Sequence, residues 1–209
     1  MKHDLPASFS EASSQCSLLG ISLSEESYLK IGQFLDLLES RAGKTNLVGP
    51  LEIDRLWTRH VLESVAFIPF LNGIDVLDVG TGAGFPGMVL SLCGYSVTMI
   101  ESRRKRCAFL ETAARNCEVS CRILNSRIED AGSFPPGSQF TSRAVKGPSE
   151  MAGMIIPSVR GGFTLITRIP VKTETCSNTV ISEELPVPPL DRKGFILQYR
   201  HPSIYPEIT

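Results

Sequence analysis

The sequence has no long apolar run, few histidines and no paired cysteines, and each absence excludes a class of protein. No stretch approaches the roughly 18 apolar residues that a membrane-spanning helix needs. The six cysteines form no C-x-x-C pair and only three histidines accompany them, so we expect no bound metal. The first residues, MKHDLPASFSEASSQ, lack the apolar region of a secretory signal. Cytoplasmic residence is the expectation.

The net charge is small, but the charges are unevenly distributed. The 209 residues carry a formal net charge of −1, with a hydrophobic share of 42% and a charged share of 21%. These shares are typical of a globular protein. Residues 1–100 hold 6 Lys/Arg against 11 Asp/Glu, whereas residues 101–172 hold 12 against 6. A basic middle third is expected of a protein that binds a polyanion, although solvated helix faces give the same bias.

The apolar pattern divides the chain into three parts. Residues 1–20 are polar and serine-rich, which predicts an irregular or frayed lead-in. Residues 21–72 are predicted to form an N-terminal helical cap, with one helix from about Ser24 to Gly43 and a second from about Ile53 to Phe67. Residues 73–209 are predicted to form the catalytic domain, in a single globular unit with the cap.

The region after residue 73 alternates short apolar runs with helical stretches, which predicts a doubly wound α/β fold with a mostly parallel sheet. The predicted strands are IDVLDV, YSVTMIE, CRILN, FTSRAV, GGFTLITR and RKGFILQYR. In such sheets ligands bind beyond the carboxyl ends of the strands. The stretch DVGTGAGFPG and Glu101 follow the first two strands, so we expect the functional site there.

The glycine-rich stretch allows two interpretations. Gly82, Gly84 and Gly87 fit G-x-G-x-x-G, the dinucleotide fingerprint, with the acid Glu101 about 20 residues later. That interpretation predicts an NAD-dependent oxidoreductase. Read from Gly80 instead, the glycines make G-x-G-x-G directly at the end of the strand, which does not match the dinucleotide turn.

A carboxylate beside the loop favours a cationic ligand over a pyrophosphate. Asp78 would repel the phosphates of a dinucleotide, and Pro86 removes a backbone donor at the start of the helix. S-adenosylmethionine carries a positive sulfonium and an amino group, and Glu101 is placed to accept hydrogen bonds from both hydroxyls of its ribose. The sequence therefore favours S-adenosylmethionine as the cofactor.

Six stretches resemble one family in their order and spacing, namely TNLVGP, RHVLES, DVGTGAGFPG, IESRRKRCAFL, NSRIED and TSRAVKGPSEM. Over about residues 20–168 the chain resembles the bacterial 16S ribosomal RNA guanine-N7 methyltransferases, the glucose-inhibited division protein B family. The resemblance implies a Rossmann-like class I methyltransferase fold, with S-adenosylmethionine as cofactor and 16S ribosomal RNA or the small ribosomal subunit as partner. It implies that Glu101 binds the ribose, that Ile128 and Glu129 border the adenine, and that Gly80, Phe85 and Arg143 lie beside the cofactor.

The resemblance is interrupted at the end of the fifth strand. The family usually has a lysine there, followed by glycine and an acidic helix, whereas this chain has Thr167–Arg168 and a shorter segment before VPPLD. Either Arg168 replaces the lysine or the contact is lost, and the helix after the strand is expected to be reduced to a turn. A non-catalytic RNA-binding module that keeps the fold is therefore a further alternative.

Methyl transfer to guanine N7 needs positioning and no general base, because N7 carries a lone pair and no proton. Arg143 and Arg127 are predicted to project at the rim of the cleft and to position the substrate by contacts with phosphate or base. For Arg127, a surface ion pair with Glu129 or Asp130 is the alternative. His60 is interpreted as structural or RNA-orienting, with a catalytic role as the alternative.

The predicted site has a cofactor-binding part and an RNA-binding part. The cofactor set is Asp78, Gly80, Gly82, Gly84, Phe85, Glu101, Ile128, Glu129 and Arg143. The RNA set is Arg103, Arg104, Lys105, Arg106, Arg127, Lys146 and Arg168. Four of these basic residues open a helix, where they oppose the helix dipole. This cost favours an anionic partner, although side-chain stems that pack over the sheet are the alternative. An unstacked guanine is the expected target, because the major groove of A-form RNA is too narrow to read.

Overall fold

The computed structural model describes residues 3–42, 47–143, 146–170 and 179–202. Its sheet has seven strands in the order β3-β2-β1-β4-β5-β7-β6. The strands are β1 Asp75–Val79, β2 Ser96–Ile100, β3 Arg122–Leu124, β4 Gln139–Arg143, β5 Phe163–Ile169, β6 Thr179–Glu184 and β7 Phe195–His201. The first five pair in parallel, and β7 runs antiparallel to both β5 and β6. The predicted doubly wound, mostly parallel α/β fold is confirmed.

Helices cover both faces of this sheet. They are α1 Phe9–Ser17, α2 Glu25–Ala42, α3 Leu62–Val65, α4 Gly87–Leu92, α5 Arg104–Asn116 and α6 Pro148–Ile155. Side chains alternate along a strand, so Val97 and Met99 of β2 join the apolar cluster beneath α1, α2, α4 and α5, here called the cap face. Ile100 points the other way, into the cluster beneath α6.

The polar composition of residues 1–20 predicted an irregular lead-in. In the structure, this segment contains the helix α1 instead. Ser8 caps α1 with its hydroxyl, and the helix buries Ala12 and Cys16 in the core of the cap face. Trp57 ties this helix to the cap, because its indole nitrogen donates to the side chain of Gln15 at 2.7 Å. A few buried contacts on one side are enough to order a helix whose other side is polar.

The second predicted cap helix is present but segmented. It consists of a 3-10 turn over Pro50–Arg55, a π-helical turn over Leu56–Val61 and then α3. The carboxylate of Asp4 accepts hydrogen bonds from the backbone nitrogens of Trp57 and Thr58, at 2.6 and 3.0 Å. The carboxylate thus satisfies two backbone N–H donors at the start of the π-helical turn. In a continuous α-helix these N–H groups would instead bond to carbonyls of the preceding turn.

The carboxyl-terminal part of the sheet contains a strand that the sequence pattern did not predict. β6 (Thr179–Glu184) leads into a connector over residues 185–194, and β7 returns antiparallel beside it. The connector is anchored by the buried side chains of Leu185 and Leu190, and Leu185 donates its backbone N–H to the carbonyl of Gly194 at 2.8 Å. The predicted turn after β5 and the helix end at Gly43 lie outside the described residues. Among the described helices none is long and apolar enough to cross a membrane.

Candidate functional site

The glycine loop after β1 has the backbone conformation that its sequence predicts. Gly80, Gly82 and Gly84 adopt φ angles of +70°, +62° and +104°, a region that side chains with a Cβ rarely occupy. The backbone nitrogen of Gly80 donates to the carbonyl of Ile100 at 2.8 Å, which holds the loop against the end of β2. The G-x-G-x-G spacing is thus required by the path of the backbone.

Asp78, a member of the predicted cofactor set, does not line the cleft described below. Its carboxylate is fully buried and accepts hydrogen bonds from the backbone nitrogen of Gly87 and the hydroxyl of Thr141, both at 2.9 Å. A Cβ at Gly87 would lie 2.6 Å from the carboxylate oxygen Oδ2, so glycine is needed there for the close approach. Burial raises the pKa of Asp78 to about 6. Asp78 therefore holds the glycine loop and the start of α4 together.

Gly84 and Phe85 also lie against the core and do not line the cleft described below. A Cβ at Gly84 would lie 2.8 Å from Met88 and 3.2 Å from Phe34. Phe85 is 4% exposed, stacks on the ring of His60 with centroids 4.9 Å apart, and contacts Phe34 from another side. These residues fix the loop to the cap because the chain turns back into the protein at this point.

Glu101 is the acid at the end of β2, and it holds the loop from the other side. Its Oε2 accepts from the backbone nitrogen of Gly82 at 3.1 Å, and its Oε1 accepts from that of Arg103 at 2.8 Å. Arg106 forms an ion pair with it at 3.6 Å. The side chain of Asn125 donates to the carbonyl of Glu101 at 3.0 Å. A carboxylate has about four acceptor positions, so Glu101 keeps capacity for a ligand.

A cleft of about 190 Å³ opens beside Glu101 at the carboxyl ends of β1 and β2. Its walls come from both strand ends, the turn before Ile128 and helix α6. Of the predicted cofactor set, it contains Gly80, Glu101, Ile128 and Glu129. Its apolar walls are Val79, Ile100, Ile128, Met151 and Met154. A cleft with apolar walls and a carboxylate in its lining has the polarity expected of a site for an aromatic ring attached to a sugar.

The basic residues predicted for RNA differ in their exposure. Arg127 is exposed and forms part of the cleft wall, and the structure contains no ion pair between it and Glu129 or Asp130. Arg103, Arg104 and Lys105 are exposed at the start of α5, while Arg106 is half-buried beside Glu101. Lys146 forms an ion pair with Glu150. The exposed members remain available to a large anionic partner.

A second set of charged residues lies on the cap face, across the sheet from the cleft. Glu63 of α3 is 1% exposed and binds three arginines, and we call this set the Glu63 network. Its distances are 3.3 Å to Arg143, 2.9 Å to Arg168 and 3.0 Å to Arg192. A buried carboxylate surrounded by guanidinium groups keeps its charge paired, which offsets the cost of removing it from water.

Arg143 was predicted at the rim of the cleft, but it lies in the Glu63 network. Successive strand residues alternate faces, and Arg143 shares its face with Thr141, the partner of Asp78, and therefore points to the cap. Its side chain is 10% exposed, and its guanidinium lies 5.1 Å from the centroid of Phe85. Burial lowers the pKa of Arg143 to about 10, although Glu63 opposes this shift.

His60 is a partner of Arg143 with no capacity left for proton transfer. Nη2 of Arg143 donates to Nδ1 of His60 at 2.6 Å, and Nε2 of His60 lies 3.2 Å from Glu52. An accepting Nδ1 requires the neutral tautomer with hydrogen on Nε2. Burial, and then the charge of Arg143, lowers the pKa of His60 to about 2. These contacts favour the structural role among those predicted for His60.

Arg168 is enclosed by the protein, which does not support its predicted contact with RNA. Only 4% of its side chain is exposed. Its Nη2 donates to the carbonyl of Lys193 at 3.0 Å, and a Cβ at Gly194 would lie 2.6 Å from the same nitrogen. Gly194 thus lets the backbone of the connector lie directly over the guanidinium.

The sequence interpretation missed Glu63, Arg192 and the two methionines of the cleft. Glu63 has a signal, because it is the one charged residue within the mostly apolar run VLESVAF. Met151 and Met154 lie three positions apart on α6, a spacing that places both on one helix face. Arg192 has no local signal, since only the fold brings it to Glu63.

The strand order, the glycine loop and the acid after β2 define a class I methyltransferase of the Rossmann-like kind. Residues 27–176 match the profile of the family described as rRNA small subunit methyltransferase G, or GidB. The chain therefore belongs to the rRNA small subunit methyltransferase G family. The family suggested by the six sequence stretches is confirmed.

Individual relatives agree with the family. The chain is 40% identical to ribosomal RNA small subunit methyltransferase G of Gluconobacter oxydans over 125 residues, which is 59% of this chain and 64% of that protein. It is 35% identical to the protein of the same name from Paramagnetospirillum magneticum over 144 residues, 67% and 69% of the two chains. The matches thus span about two thirds of the relatives' length.

One solved structure illustrates the fold alone. It is described as "Conversion of a Disulfide Bond into a Thioacetal Group during Echinomycin Biosynthesis" and has a TM-score of 0.52 with 14% identity. The likeness covers 68% of this chain and 82% of that chain. At this identity it concerns the arrangement of helices and strands and carries no information on substrate.

Proposed function

We propose that this protein transfers a methyl group from S-adenosylmethionine to N7 of a guanine in 16S ribosomal RNA. The observation that carries the proposal is the cleft at Glu101, found in a chain whose residues 27–176 belong to a methyltransferase family. RNA of the small ribosomal subunit is the proposed partner, and the cytoplasm is the proposed location.

The residues of the cleft fit S-adenosylmethionine. Glu101 retains acceptor capacity beside the glycine loop and would bind the ribose hydroxyls, as charge-assisted hydrogen bonds. The adenine would lie between the buried side chains of Ile128 and Met151, with Glu129 at its edge. When bound, the cofactor supplies a methyl group activated by a sulfonium. Because Gly80 has no Cβ, the cofactor could approach the backbone closely at this part of the cleft.

The chain's own residues have only to hold the guanine in line, because N7 offers its lone pair without losing a proton. The charged side chains that line the cleft are Glu101, Arg127 and Glu129. None of them is needed as a base, and His60 has its lone pair occupied by Arg143. Arg127, which is exposed in the cleft lining, would bind the RNA there. Arg143 would act as a positioning residue through Phe85 and His60.

The buried carboxylate of Asp78 counts against the oxidoreductase alternative. It accepts the N–H of Gly87 at the start of α4, where the G-x-G-x-x-G interpretation would place a pyrophosphate. A negative charge at that position repels a dinucleotide. Tight binding of NADH by the purified protein would reopen this alternative.

The direct experiment maps N7-methylguanine in 16S ribosomal RNA from cells with and without the gene for this protein. One guanine should lose its methyl group in the deletion strain and regain it when the gene is restored. Calorimetry with the purified protein should show binding of S-adenosylmethionine. Unchanged methylation in the deletion strain would refute the proposed reaction.

The purified protein and the deletion strain also distinguish the proposed enzyme from the non-catalytic alternative. If the purified protein binds the RNA but transfers no methyl group to subunits from the deletion strain, it is an RNA-binding module. Restoration by an Arg143→Ala variant at a lower rate than by the unaltered protein would support the positioning role of Arg143.

A further inference from the structure

Arg192 is the exposed member of the Glu63 network. It lies on the connector between β6 and β7, and its Nε donates to Oε1 of Glu63 at 3.0 Å. Its side chain is 39% exposed, against 10% for Arg143 and 4% for Arg168. The buried leucines of the connector fix the backbone that carries it. Arg192 is thus held in place at one end and open to solvent at the other.

The guanidinium of Arg192 keeps most of its donors. An arginine has five N–H groups in a planar fork, which matches the oxygens of a phosphate. Nε uses one of these on Glu63. Within the residues that the structure describes, Nη1 and Nη2 of Arg192 have no hydrogen-bond partner. The ion pair with Glu63 therefore orients the guanidinium of Arg192 and leaves its Nη1 and Nη2 donors free for a ligand.

The charges around Arg192 do not cancel. Next to the network, Arg55 pairs with Glu52 and Asp191, and Arg59 pairs with Glu52. Together with Asp78, whose charge acts on Arg143, this region contains five arginines and four carboxylates. The arginines are Arg55, Arg59, Arg143, Arg168 and Arg192, and the carboxylates are those of Glu52, Glu63, Asp78 and Asp191. After burial, the positive charges of four of these arginines act to lower the pKa of His60. The side chains leave a positive surplus at the carboxyl edge of the sheet.

We propose that Arg192, oriented by Glu63, binds a backbone phosphate of the RNA substrate, and that it takes the part predicted for the buried Arg168. This inference rests on the proposed function, because it names the residue that binds the RNA on the cap side. The chemistry is that of a bidentate guanidinium and a phosphodiester. A backbone phosphate fits better than a free anion, since the cluster lies at the same sheet edge as the cleft.

The test measures binding of a fluorescein-labelled single-stranded RNA oligonucleotide by anisotropy, between about 50 and 200 mM KCl. The variant Arg192→Gln should reduce the slope of log affinity against log salt by about 0.7, the contribution of one phosphate on a single strand. Its affinity at low salt should fall severalfold. Arg192→Lys should keep the slope, since it keeps the charge, but should bind more weakly because the fork is lost.

The matched control is Arg122→Gln, an exposed arginine at the amino end of β3, which should leave both slope and affinity unchanged. Asp191→Asn should strengthen binding, because it removes a carboxylate that pairs with Arg55. Circular dichroism checks that each variant is folded. Competition with inorganic phosphate distinguishes two kinds of site. Free phosphate should displace the RNA only weakly from a phosphodiester site, but strongly from a site for the free anion.

An unchanged salt slope in Arg192→Gln, with RNA still bound by the unaltered protein, would overturn this inference and leave the proposed function standing. A parallel loss of S-adenosylmethionine affinity would also overturn it, by assigning Arg192 to the cofactor. If the unaltered protein bound no RNA at any salt concentration, the inference would fall. Methylation lost in the deletion strain would still support the proposed reaction in that case.

Discussion

The two faces of the sheet present opposite chemistry at one edge. On the α6 face, the cleft is apolar and carries the acids Glu101 and Glu129. On the cap face, Glu63 gathers three arginines in a network that is closed apart from Arg192. The cleft suits an uncharged or cationic nucleoside, whereas the cap face suits a polyanion. The acids of the cleft and the arginines of the Glu63 network are separated by the thickness of a single sheet.

This difference explains why the predicted site divides into two groups. The cofactor candidates Gly80, Glu101, Ile128 and Glu129 lie in the cleft beside α6. Candidates on the cap face, among them Asp78, Phe85 and Arg143, serve to hold the loop and the cap together. Groups of the cleft retain hydrogen-bonding capacity, whereas the charged groups of the cap face are already paired, apart from Arg192.

The largest effect is expected from Glu63→Gln. The variant leaves buried arginines without a carboxylate, and breaking a buried pair in this way costs about 3–5 kcal/mol of unfolding free energy. Urea denaturation measures this loss. Glu150→Gln is the control, because its exposed pair with Lys146 is expected to contribute less than about 1 kcal/mol. A loss for Glu63→Gln no larger than that of the control would contradict the central role of Glu63.

His60 should make the cap face sensitive to acid. In the unfolded chain it binds a proton below about pH 6.5, but in the folded protein only near a pKa of about 2. The unfolded state then binds more protons, so stability falls as the pH falls below 6.5, by about 3 kcal/mol at about pH 4.5. Denaturation of His60→Gln across this range should lack that part of the loss. Identical profiles would show that His60 is not kept neutral.

Glu101→Ala tests the cleft face. The ribose hydroxyls would lose a charged acceptor, which should weaken S-adenosylmethionine binding by about 1.5–3 kcal/mol, or about 10- to 150-fold. Calorimetry measures the change. Glu111→Ala, on the exposed side of α5, the helix that follows Glu101 in the chain, should bind the cofactor normally. Equal affinity in both variants would remove Glu101 from the site.

Arg127→Gln is expected to have the smallest effect. As an exposed arginine at the cleft mouth, it should lower RNA affinity severalfold and the salt slope by about 0.7, with cofactor binding unchanged. Arg160→Gln, at the opposite edge of the sheet, is the control. If the two variants behave alike, RNA does not pass the mouth of the cleft.

Much of the fold could be predicted from local patterns. The strands of the parallel sheet have short apolar runs, and each of the three glycines at the loop has a left-handed φ that no other residue adopts easily. The lead-in and β6 could not be predicted in this way. The order of α1 depends on contacts such as Gln15 with Trp57, and β6 depends on pairing with a strand that follows it in the chain.

The sequence by itself determined the glycine loop, the acid after the second strand and the family, because each is written in consecutive or regularly spaced residues. The tertiary structure decided which arginines face water. Arg143 and Arg168 are register partners on adjacent strands, and Glu63, about 80 residues before Arg143 along the chain, draws both under the cap. A buried charge needs its partner close by, and only folding brings together groups so distant in the chain.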